Sequence, residues 1–90
     1  MKTEIVQHEV KNFSEWKKIF DADQDNLVKE GVQLKELYKS NTNENDVTMI
    51  FEISDEPGLF DKVMSDPQRQ ADMKNGGVVS ASSISILNKV

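Results

Sequence analysis

His8 is the only histidine in the sequence, and imidazole is the side chain whose ordinary pKa lies closest to neutrality, so acid or base work at pH 7 starts there. It alternates with Val6 and Val10, which leaves two readings. One is proton transfer beside a cavity, and the other is a buried ring hydrogen-bonded to backbone or to a carboxylate. Glu52 is the second candidate for proton transfer, because it stands between Phe51 and Ile53 in the most apolar stretch of the chain. Facing a cavity, it would have its pKa raised by burial and serve as a proton shuttle. Near a strand end it would meet only water or Lys35. Trp16, with Phe13 and Phe20 at helical spacing, either walls a pocket or fills a core. Tyr38 can reach a ligand or a partner chain through its hydroxyl. Phe51, Met49 and Met73 suit a deformable cavity lining, and Met64 belongs with them; methionine packs an ordinary core equally well.

The rest of the inventory excludes more than it offers. With no cysteine there is neither a disulfide framework nor a thiolate site for metal or nucleophilic chemistry, in keeping with a reducing cytoplasm. Asp21, Asp23 and Asp25 have an ion-binding spacing but lack the glycine and terminal glutamate of a calcium loop. They read as a solvated face. No metal site or nucleotide motif stands out, and no cofactor is expected. The formal net charge of -5 and a pI near 4.7 disfavour nucleic acid and anionic lipid, both of which require a basic face. Met1 to Val10 alternates polar and apolar residues without the continuous apolar run of a signal peptide, and no stretch is long enough to span a membrane. The expected location is cytoplasmic.

The elements that must position these residues follow from the hydrophobic periods, in the order strand, helix, strand, strand, helix, strand. The first strand covers residues 3 to 10, with Ile5 on one face and Val6, His8 and Val10 on the other. Asn12 caps a helix that Glu15 supports as the other half of a capping box. Phe13, Trp16, Ile19, Phe20 and Leu27 form its buried stripe, and the polar segment from Asp21 to Asn26 is where it kinks. Gly31 sits where a left-handed residue ends a helix. Strand two, residues 32 to 40, is an edge strand with Val32, Leu34 and Tyr38 on one face and Lys35, Leu37 and Lys39 on the other. Residues 41 to 46 make a hairpin loop. Strand three, 47 to 53, is central, with Val47, Met49, Phe51 and Ile53 on the drier face. Leu59, Phe60, Val63 and Met64 supply the second helix's stripe. Asp66 before Pro67 starts a fresh helix, so the second helix is broken near Ser65 to Pro67 and ends at Asn75 to Gly77. The last strand runs from Ser82 to Val90.

That order predicts a ferredoxin-like βαββαβ sandwich of class α+β, with a four-stranded antiparallel sheet and both helices on one face. Residues 1–90 read as one domain. A chain of 90 residues buries only about 60 to 65% of its unfolded surface, so a shared core would help it considerably. The bare sheet face is expected to find cover against a second copy of the chain.

His8, Val10, Asn12, Phe13, Trp16, Lys17, Phe20 and Asp21, then Gly31-Val32, Phe51-Glu52, Asp55, Ser65 with Pro67, Met73 and Gly77-Val78 resemble the pattern of small bacterial proteins in the dimeric α/β-barrel superfamily. Antibiotic-biosynthesis-monooxygenase-like, muconolactone-isomerase-like, polyketide-cyclase-like and stress-responsive barrel proteins belong to it. The resemblance spans almost the whole chain and speaks to the fold more than to a reaction. It implies a homodimer whose sheets meet through their bare faces, forming an α/β barrel with room for a small apolar ligand. Two functions of different class follow. One is a homodimeric small-molecule-binding protein acting as a cofactor-independent isomerase, cyclase or monooxygenase, with His8 and Glu52 moving protons. The other is a non-catalytic structural or regulatory dimer whose barrel interior is filled by side chains. The topology also hosts RNA-recognition motifs, but Val47 to Ile53 offers no Lys or Arg. An amino-acid-binding regulatory domain of the ACT type ranks behind both functions.

Overall fold

The computed structural model describes residues 2–80, 82–88 and 90, with Phe60 described through its backbone alone. The strands are β1 (Lys2–Glu9), β2 (Val32–Lys39), β3 (Asp46–Ile53) and β4 (Ser83–Asn88). The helices are α1 (Phe13–Ala22) and α2 (Gln24–Lys29) between β1 and β2, and α3 (Leu59–Met64) and α4 (Pro67–Asn75) between β3 and β4. The sheet order is β2-β3-β1-β4 with every pairing antiparallel, which is the ferredoxin-like arrangement the hydrophobic periods predict. β1 and β3 are central, so His8 and Phe51 stand mid-sheet.

Period-two alternation sorts the sheet into two faces. Glu4, Val6, His8 and Val10 share the helix-covered face with Val47, Met49, Phe51 and Ile53, and all eight are buried. The helices contribute Trp16, Leu27, Leu59 and Val63 to the same core. The expected role of the Phe60 side chain lies outside the described residues, as does Lys89 at the end of the expected last strand.

Two features redirect the sequence reading. The β2–β3 register shifts between Leu34 and Glu36, and such a bulge sends every later side chain to the opposite face. Leu37 therefore joins Val32 and Leu34 in packing on the core, whereas Tyr38, paired with Thr48, turns to the bare face and is 51% exposed. The bare face is also more mixed than β3 alone suggests, because Ile5, Ile50, Tyr38 and Leu87 share it with Gln7, Thr48, Glu36 and Ser85 by register.

The joints are local chemistry. Asn12 caps α1 by accepting from the Glu15 amide at 3.1 Å, and its partner in fixing that end is Asn45, whose side chain accepts from the Phe13 amide at 3.0 Å. Gly31 has φ 91°, and a Cβ there would lie 3.2 Å from the Ser54 Cβ, so the α2–β2 corner needs glycine. Asp66 caps α4 through the Gln68 amide, with Pro67 in the first turn.

Candidate functional site

Between the helices and the sheet lies a partly open cavity of about 100 Å³. A buried water needs about 10–15 Å³ on this scale, so there is room for several waters or a small ring. The helix-facing rows of β1 and β3 form its floor, with Glu4, Val6 and His8 beside Met49, Phe51 and Ile53. Trp16 and Phe20 of α1 form one wall, and Val63, Met64 and Met73 of α3 and α4 another. The walls are rigid on the α1 side, because Trp16 and Phe20 stack with ring centroids 4.6 Å apart. On the α4 side methionines provide give.

Two polar side chains of β1 enter this apolar space without a complete set of partners. His8 is 5% exposed, and its ring meets Trp16 edge-to-face at 5.8 Å. Nδ1 lies 3.3 Å from the Ser82 hydroxyl, and Nε2 is buried with no protein hydrogen-bond partner. Burial lowers the imidazole pKa below its usual value, against an opposing pull from Asp46. The ring is therefore neutral at pH 7. In the tautomer that donates from Nδ1 to Ser82, Nε2 carries a free lone pair.

Glu4 is the residue that sequence reasoning missed. It is 4% exposed, its flanking strands place Phe51 and Ile86 beside it, and its Oε2 has no hydrogen-bond partner. Burial alone pushes its carboxyl up to about 7. The signal was present: Glu4 falls on the same alternation as Val6 and His8, two residues ahead of the first valine.

The other sequence candidates divide by face. Trp16, Met49, Phe51 and Met73 line the cavity with His8. Glu52 does not, since by register it lies on the bare face opposite Thr3 and Gln33, where Lys35 holds its carboxylate at 3.1 Å. Tyr38 shares that face. The cavity thus sits under the helices, and the bare face holds the second pair of candidates.

The acidic segment also departs from expectation. Asp23 is not merely solvated: it marks the α1–α2 joint and accepts from Arg69 Nε at 3.0 Å. Arg69, 7% exposed, also pairs with Glu30 at 2.9 Å and donates to the Val63 carbonyl at 2.9 Å. This network ties the two broken helices together at one end of the cavity. Among the described residues no three potential ligands converge as a metal site, and no helix is long and apolar enough to cross a membrane.

Comparison with known proteins agrees with this geometry. The profile of the family described as a domain of unknown function (DUF3764) matches residues 1–87. Among solved structures, one described as an antibiotic biosynthesis monooxygenase superposes with a TM-score of 0.74 at 14% identity, covering 100% of this chain and 99% of that one. SnoaB, a cofactor-independent oxygenase from Streptomyces nogalater, gives 0.75 at 14% identity over 99% and 92% of the two chains. A NIPSNAP domain protein from Burkholderia xenovorans gives 0.70 at 15% identity over 100% and 95%. At these identities the likeness is one of fold. No curated protein matches the sequence.

Proposed function

From a chain that belongs to the DUF3764 family, we propose a homodimeric small-molecule-binding protein whose cavity under the helices takes one small, largely apolar metabolite. His8 is its proton-transfer group. The observation that carries this reading is an apolar cavity lined by a buried imidazole whose Nε2 has no protein partner. Buried polar atoms are rarely left unpaired, and an exception calls for water, a ligand or a catalytic role.

The chemistry within reach is proton abstraction. A neutral imidazole, oriented by Ser82 and kept uncharged by burial, accepts a proton from a ligand whose own structure acidifies it. Such a step opens an isomerisation, a cyclisation or an oxygenation, and the fold shared with a cofactor-independent oxygenase favours this class. Glu52, on the other face and paired with Lys35, takes no part in the cavity. The bare face carries Ile5, Ile50 and Tyr38, and in this reading it is the surface on which a second copy docks.

Binding is tested by titrating benzyl alcohol into isotopically labelled protein and following amide and indole resonances. Shifts centred on Trp16, His8 and Met49, lost in Val63→Phe and retained in His8→Asn, are the expected result. Shifts confined to the bare face, or none at all, would refute a ligand cavity under the helices.

A further inference from the structure

We propose that Glu4 is the specificity-determining residue of this cavity and selects an apolar ligand bearing a cationic amine. The inference rests on the cavity being a ligand site and adds the ligand's charge. Glu4 is almost wholly buried, lines the cavity and leaves Oε2 unpaired. Its cross-strand neighbours Phe51 and Ile86 are apolar. A carboxyl in that setting stays protonated or meets a cation, and a cation delivered by a ligand gains a charge-assisted hydrogen bond in a dry site.

The remaining charged groups around the cavity fix the sign. Among the described residues Arg69 is the one cationic side chain lining it, and Asp23, Glu30 and the Val63 carbonyl already occupy it. Asp23 at the α1–α2 joint and Asp72 of α4 add negative charge, and His8, the other titratable residue that β1 contributes to the cavity lining, is held neutral by burial. Among the described lining residues a carboxylate or phenolate ligand would find no free cation and several acids. A protonated amine finds Glu4. Three residues of β1 lie between Glu4 and His8, four strand steps or about 13 Å between Cα atoms, so an amine anchored at Glu4 leaves its apolar body pointing along the floor toward the imidazole.

The test compares benzylamine with benzyl alcohol by calorimetry, since the two share a ring and differ in charge. A primary amine, like lysine, is fully protonated across this range. With the Glu4 carboxyl titrating at about 7, amine binding at pH 7 should release about half a proton, read from two buffers of different ionisation heat. Its affinity should rise about ten-fold between pH 6 and 8 as the carboxyl ionises, and at pH 8 it should exceed that of the alcohol by about ten-fold. Glu4→Gln should bind both probes alike, without proton release or pH dependence. Equal binding of the two probes by the native chain, or an amine preference that survives in Glu4→Gln, would overturn the assignment while leaving the cavity a ligand site. Binding of neither probe would overturn both. Should Glu4→Gln fail to fold, the proton count and pH profile of the native chain decide alone.

Discussion

Replacing Glu4 with Gln is expected to stabilise the protein at alkaline pH and to leave it nearly unchanged in acid. The native carboxyl titrates at about 7 against an ordinary value of 4.5. Between those two values the folded chain holds a proton that the unfolded chain has released. Stability therefore falls as pH rises through that window, because fewer protons are bound in the unfolded state than in the native one. The full displacement corresponds to about 3 kcal/mol, an upper bound because water entering the open side of the cavity relieves part of it. Gln has the shape of the protonated acid and no charge to bury. Glu4→Gln should thus match the native chain near pH 4.5 and exceed it by about 2–3 kcal/mol at pH 8, a large share of the stability of a small domain. Urea unfolding at pH 5, 6, 7 and 8 on both chains supplies the curves. The difference between the chains is the diagnostic quantity, since it cancels other groups. His8, for example, pulls the opposite way: its lowered pKa makes stability fall as pH drops below the ordinary histidine value. A difference that stays flat from pH 5 to 8 would refute a buried, unpaired carboxyl at Glu4.

Three further outcomes follow from other parts of the fold. Arg69→Leu strips the cation from between Asp23 and Glu30 and should cost about 3–5 kcal/mol in denaturant unfolding; a loss under 1 kcal/mol would mean that the pairs are effectively solvated. Gly77→Ala should cost about 1–2 kcal/mol, because φ is 79° there and a new Cβ would stand 3.1 Å from the Lys11 Cβ; an unchanged urea midpoint would argue against that backbone. Ile50→Glu, placed on the bare face opposite Ile5, should convert a dimer into monomers in sedimentation velocity, whereas an unshifted species would remove this face from the assembly.

Local signals carried most of the fold. The alternation around His8, the glycine at 31 and the Asp66-Pro67 pair each act within a few residues, so their consequences are readable from sequence. What escaped depended on distant partners. Nothing near Leu34 announces a bulge; it is defined by how β2 registers on β3, and a single extra residue moved Tyr38 away from the core and Leu37 into it. Arg69 lies between Gln68 and Gln70 in a polar helix, and its partners Asp23, 46 residues away, and Glu30 reveal why it is buried. Glu4 is the intermediate case. Its face was legible from the alternation, but a glutamate two positions into β1 reads as a solvated strand end until Phe51 and Ile86 are seen to flank it.

The same strand thus carries two costs of one kind. At Glu4 and His8, β1 buries polar atoms with no protein partner, which is unfavourable by about 1–3 kcal/mol for each neutral group left unsatisfied. A chain of 90 residues has little surplus stability to offset them. Neither group is needed for packing, since Val, Leu or Met at both positions would extend the apolar row made by Val6 and Val10. A strand that keeps two such groups in its driest row is shaped by something other than the stability of the isolated fold. A ligand that completes their hydrogen bonds returns the lost free energy on binding, and it does so most fully when it meets the carboxyl at one end and the imidazole at the other. Benzylamine carries only the group that meets the carboxyl, so its stabilisation of the fold should shrink in Glu4→Gln. If the amine protects that variant against thermal unfolding as well as it protects the native chain, the unpaired carboxyl oxygen is not what the cavity uses to hold its ligand.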